Sequence, residues 1–128
     1  MPAYGNYVLS KGYDAEGAIA KFTAVKGGST DEGVEQCDAQ GEDGLGIAQF
    51  GVTTDEIDLG KGATVALAGI SEWTVGTQVD KDQLVTTSAA GLCEPAGSGD
   101  SVWGRARQAG EAADRIAVEL FQSKYIHA

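Results

Sequence analysis

Residues Gly46 to Ile70 read GIAQFGVTTDEIDLGKGATVALAGI. Side chains along a strand alternate between two faces, so Ile47 to Val52 puts Ala48, Phe50 and Val52 on one side of a half-buried strand. Val65 and Leu67 then share one face of a second strand, with the smaller Thr64, Ala66 and Ala68 on the other. Between them Thr53, with Glu56 three residues on, forms a capping-box signature, and Gly60 or Gly62 can stop the turn it opens. The stretch predicts strand, one short helix near residues 54–59, and strand.

Outward from this stretch the pattern stays β. Ala18 to Lys26 places Ile19 and Val25 on one face and Phe22 and Ala24 on the other, and Val34 to Asp38 is a shorter strand. Glu72 to Val75 reads as a further short strand carrying Trp73. A hairpin turning at Asp80-Lys81-Asp82 feeds the run Leu84 to Thr87. Glu94 to Ser101 reads as an exposed loop. Trp103 to Gln108 alternates small Gly104 and Ala106 with Arg105 and Arg107. Arg115 to Leu120 has the cleanest alternation, with Ile116, Val118 and Leu120 inward. Short apolar runs among nineteen glycines and only two prolines favour an all-β sandwich or barrel of short antiparallel strands over a helical bundle.

A chain of 128 residues suffices for one domain with a core of its own. We place that β domain at residues 18–128, behind an extended N-terminal arm at 1–17. Tyr4, Tyr7, Val8 and Tyr13 of the arm show no sustained period, which fits either local packing or a strap that orders on a partner. The tail 121–128 keeps Phe121, Tyr125 and Ile126, more apolar than a free end needs, so it docks on the domain or on a neighbour.

The net charge of -10 disfavours nucleic acid and anionic membranes as partners. No segment is long and apolar enough to cross a bilayer, and no export signal is evident, so a cytoplasmic origin is expected. No Lys or Arg lies between Lys26 and Lys61, a span rich in Asp and Glu; solvated loops are the plain account, and no calcium-loop spacing appears. Cys37 and Cys93 read as buried free thiols, with a disulfide or a reactive thiol as the alternatives.

Catalytic signatures are missing. The one histidine, His127, stands at the chain end, which excludes a histidine-based triad or zinc site inside the fold, and no phosphate loop or dinucleotide fingerprint occurs. No enzyme activity, cofactor or metal is therefore expected. Lys81 faintly resembles the carrier lysine of biotinyl and lipoyl domains, though an ordinary polar turn accounts for it. A non-catalytic ligand-binding β module of carbohydrate-binding type, with Trp73 or Trp103 as stacking platform, is a second reading.

The order of the segments Gly46-Ile-Ala-Gln-Phe-Gly-Val, Gly60 to Ile70, Gly76 through Leu84-Val85-Thr86 to Gly91, and Gly104-Arg105-Ala106 followed by Ile116 to Leu120 resembles the capsid cement, or head decoration, proteins of tailed bacteriophages. The resemblance implies a structural protein on the outer surface of the virion, assembled in the host cytoplasm. It implies binding to the major capsid protein at capsomer junctions of the expanded shell, as a homotrimer. Tyr4, Tyr7, Val8, Tyr13, Tyr125 and Ile126 are the expected contact residues.

Overall fold

The computed structural model describes residues 6–128, the side chains of residues 6–8 and 123 excepted. The described chain is all-β with one helical turn: β1 (Asn6–Ala15), β2 (Ala24–Gly27), β3 (Gly33–Gln36), β4 (Gly46–Ala48), α1 (Thr54–Asp58), β5 (Ala63–Thr74), β6 (Leu84–Thr87), β7 (Cys93–Pro95), β8 (Ser101–Ala106) and β9 (Arg115–Ile126). The first five strands close on themselves in the order β1-β3-β2-β4-β5 and back to β1. β5 continues past this small barrel and opens a second one, β5-β9-β8-β6-β7, which the parallel bridge between Val75 and Cys93 closes. Closure of this kind removes most exposed strand edges.

The two barrels are structural repeats. Ile19 and Val52 exchange two backbone hydrogen bonds in the first, and Val79 and Gly110 exchange the same two in the second. Phe22 N–H donates to the Ala48 carbonyl as Asp82 N–H donates to that of Ala106; Cys37 N–H donates to Ala24 as Ala96 does to Leu84. Phe22 and Asp82, equivalent turn residues, both hold a positive φ, at 56° and 68°. The interior of the first barrel is built from Ala15, Ile19, Val25, Val34, Ala48, Val52, Ala63 and Val65. The equivalent positions Val75, Val79, Val85, Cys93, Ala106, Ile116 and Val118 form the interior of the second.

Trp73, Trp103, Phe22, Ala24, Cys37, Ile47 and Ala66 fill the joint between the barrels. The two indoles lie 5.5 Å apart at 46°. Trp73 Nε1 donates to the Gly91 carbonyl at 3.0 Å and Trp103 Nε1 to that of Glu42 at 2.9 Å. Both polar edges are thus satisfied in the dry interior, and two large aromatic surfaces are removed from water.

The helix forms as the capping box dictates: Thr53 Oγ1 accepts from Glu56 N–H at 3.2 Å, and Thr53 N–H donates to the Glu56 carboxylate at 3.0 Å. Gly60, at φ 89°, turns the chain out of it. The closing strand buries Ile116, Val118 and Leu120 as expected and runs on to Ile126.

Other expectations are corrected. Glu72–Val75 is not a separate strand, because β5 is continuous from Ala63 to Thr74. Gly69, at φ 93°, lets β5 redirect where it pairs with β1 on one edge and β9 on the other. β4 stops at Ala48; the chain bends at Gln49 and Phe50, so Phe50 is 55% exposed while Ala48 and Val52 are buried. Ala18–Lys26 is strand only from Ala24 onward, yet its two faces are kept: Ile19 and Val25 enter the first barrel, Phe22 and Ala24 the joint. The presumed loop 94–101 opens with the last residues of β7 and closes at the start of β8. Over its described part the N-terminal arm is extended, and it is paired along β5 of its own domain.

Candidate interaction surface

Cys37 and Cys93 are buried free thiols; burial pushes the Cys37 thiol up to about 12 and raises that of Cys93 as well. Among the described residues, no three or more His, Cys, Asp or Glu side chains stand grouped to hold a metal ion. A depression of about 380 Å³ between Gly12–Asp14, Glu32 and Gly62–Thr64 brings together no nucleophile and base.

Acidic residues form two networks, the first of which accounts for Glu35, Asp38 and Glu42 of the span read as solvated loops. Lys26 Nζ lies 3.5 Å from Glu35, 2.6 Å from Asp38 and 3.0 Å from Glu42. Its hydrogen bonds to Asp38 and Glu42 hold its pKa well above the usual lysine range, and the ammonium in turn lowers that of Asp38. Glu16 accepts hydrogen bonds from the backbone N–H and hydroxyl groups of both Ser29 and Thr30, fixing the loop between β2 and β3. Those bonds, led by the Ser29 backbone, lower its pKa to about 2.

Exposed apolar side chains and free strand edge coincide at one end of β9. The strand pairs with β5 as far as Leu120; beyond it, after a register shift, Tyr125 and Ile126 pair with Val102 and Ser101 of β8. There Phe121 stacks on Tyr125 at 6.3 Å, Tyr125 is 48% exposed and Ile126 65% exposed. Phe121, Tyr125 and Ile126 make this an apolar strip; on the neighbouring strands Leu9 is opposite Ala68 and Ile70 is opposite Glu119. Leu9 is itself exposed. Beside this strip Lys124 sits over the Trp103 ring at 4.7 Å and donates to the Leu45 carbonyl, and burial lowers its pKa.

Of the residues singled out from sequence, Tyr125 and Ile126 lie in this strip. Tyr7 and Val8 belong to β1, where Tyr7 is opposite Gly69. Tyr13 packs against the first barrel's core beneath Lys11, whose ammonium is 5.0 Å from its ring. Tyr4 lies outside the described residues. Sequence reasoning placed Leu9 in the arm and Phe121 in the apolar tail but named neither as a contact residue; their exposure depends on how β1 and β9 pair on the two edges of β5. Trp73 and Trp103, the platform residues of the carbohydrate-binding reading, are fully buried, which removes that platform.

The fold defines a class: an all-β protein of two small barrels sharing one long strand. Within it, the chain is similar to the solved structure described as the head fiber gp8.5 N base in bacteriophage phi29, with a TM-score of 0.69 and 18% sequence identity over 93% of this chain and 98% of that one. No protein-family model and no curated protein matches the sequence. The likeness shows a common fold.

Proposed function

We propose that this is a non-enzymatic structural protein of a tailed-phage particle, a decoration or cement protein seated on the outer capsid surface. The observation that carries the reading is the fold shared over nearly the whole of both chains with a phage head-fiber base. The segment order quoted above for the decoration family supports it independently, and the net charge of -10 suits an exterior position away from packaged DNA.

The partner is the major capsid protein, and the apolar end of β9 formed by Phe121, Tyr125 and Ile126, with the exposed Leu9 of β1, is the contact face. Among the described residues no strand pairs with β9 beyond Leu120 on the β5 side, so that edge offers backbone donors and acceptors for strand addition, and Tyr4, Tyr7, Val8 and Tyr13 extend the contact from the N-terminal side. Homotrimers engaging several capsomers at once would multiply weak individual contacts, and a junction present only in the expanded shell would make binding favour that state.

Co-sedimentation with empty shells of the presumed capsid protein tests this. Saturation at a fixed copy number on expanded shells, absent on unexpanded ones, is expected. Tyr125→Asp, at an exposed position, should abolish binding with the fold intact. Equal binding to both shells, or none to either, overturns the proposal.

A further inference from the structure

The repeat relation allows the two barrels to be compared side chain by side chain, and one pair of equivalent clusters differs by a charge. In the first barrel Lys26 stands directly across the strand pair from Glu35, and its ammonium is held by Glu35, Asp38 and Glu42. In the second barrel the equivalent cross-strand pair is Thr86 and Glu94. Asp100 takes the place of Glu42: its carboxylate accepts from Gly97 N–H at 2.8 Å, as that of Glu42 accepts from Asp38 N–H at 2.9 Å. Two of the three carboxylates are therefore kept while the lysine is replaced by a threonine.

The cluster also carries polar atoms with no partner. Thr86 is fully buried and its Oγ1 makes no hydrogen bond; Glu94 Oε1, on the facing residue, is likewise buried and unpartnered. Buried oxygens of this kind are costly unless a donor or a cation reaches them. Burial and the nearby Asp100 charge both raise the Glu94 pKa, and the opposing influence is the polar Gln40 side chain rather than any basic one.

We propose that Glu94, Asp100 and Thr86 form a site for a hard divalent cation of the calcium type, which takes the position that the Lys26 ammonium holds in the first barrel. The donors are two carboxylates and a hydroxyl, with the Gln40 amide beside them. An all-oxygen set suits calcium, whose coordination is flexible, better than magnesium, which demands near-octahedral geometry, or zinc, which favours nitrogen and sulfur. The inference rests on the internal repeat and holds whether or not the protein decorates a capsid.

The test is thermal unfolding of the chelator-treated protein, followed by tryptophan emission, with calcium chloride added to about 5 mM, a range that covers weak extracellular calcium sites. Sodium chloride at matched ionic strength and magnesium chloride serve as comparisons. Calcium should raise Tm by about 3 °C or more over the sodium control, because a ligand that binds only the folded state stabilises it. Glu94→Gln should remove that rise, and Glu35→Gln, in the equivalent cluster that has its own lysine, should leave it intact. Thr86→Lys should melt higher without calcium and cease to respond to it. A wild-type melt that calcium does not move beyond sodium overturns the proposal. So does a calcium response that survives Glu94→Gln or is lost equally in Glu35→Gln, which would mean diffuse screening of an acidic surface. If Thr86→Lys fails to fold, the two glutamine variants still decide.

Discussion

The repeat predicts that one substitution, glycine to alanine, changes sign with position. Gly46 and Gly104 are equivalent residues of β4 and β8. A methyl group on Gly46 would run into the Ala66 carbonyl, with the carbonyl carbon at 2.9 Å; on Gly104 it would meet the Glu119 carbonyl, with the carbon at 3.0 Å. In each case the obstacle is the backbone of the neighbouring strand, so the strand pair itself must open. Overpacking of this type costs roughly 1–3 kcal/mol, and a backbone obstacle argues for the upper half. Replacing glycine by alanine also restricts the unfolded chain, a gain of about 0.4–1 kcal/mol. The net expectation for Gly46→Ala and for Gly104→Ala is a loss of about 1–2.5 kcal/mol. Gly12 and Gly27 also lie in strands, but nothing stands within 4 Å of the added methyl and neither has a positive φ. There the entropic gain is unopposed, and each substitution should stabilise by roughly 0.5 kcal/mol. Urea unfolding of the four variants, monitored by both circular dichroism and tryptophan emission, gives the four midpoints. Losses at Gly46 and Gly104 below about 0.5 kcal/mol, or losses of the same size at Gly12 and Gly27, would refute the close-approach argument.

Further outcomes follow from other parts of the molecule. Because Trp73 and Trp103 are fully buried, emission should be blue-shifted and resistant to acrylamide, and added sugars should leave it unchanged. Cys37 and Cys93 should fail to react with a thiol reagent at neutral pH until the protein unfolds, since both are buried and their thiolates disfavoured. Glu16 has a folded-state pKa of about 2, below its ordinary 4.5, so its contribution is present above the ordinary value and is lost as pH falls from about 4.5 towards 2. Glu16→Gln should flatten the acid limb of the stability curve in that window, and an unchanged limb would show that the Ser29–Thr30 loop does not depend on the charge.

Several elements were legible in the sequence because their causes are local. The helix at Thr54–Asp58 follows from Thr53 and Glu56 alone, since the capping box is closed within four residues. The alternation from Arg115 to Leu120 names the buried face of β9, because one side of that segment meets core. Phe22 and Ala24 were separated from Ile19 and Val25 correctly, even though the chain bends between them. The fold class rests on these same short-range signals. Of the candidate surface, Tyr125 and Ile126 could be picked out because apolar residues near a chain end are conspicuous without any partner.

What the tertiary structure alone decided is pairing and closure. Period two says which side chains share a face, but not which strand lies alongside, and that choice depends on residues far apart in the chain. β5 illustrates the difference. Val65 faces the first barrel and Ala66 the joint, so both sides are buried; the alternation between Val and Ala there is one of size rather than polarity. The repeat was hidden for a related reason: Lys26 and Thr86, or Val52 and Gly110, share a backbone position and little side-chain chemistry. Only the closed barrels align them, and only that alignment puts Thr86, Glu94 and Asp100 beside the lysine cluster they match.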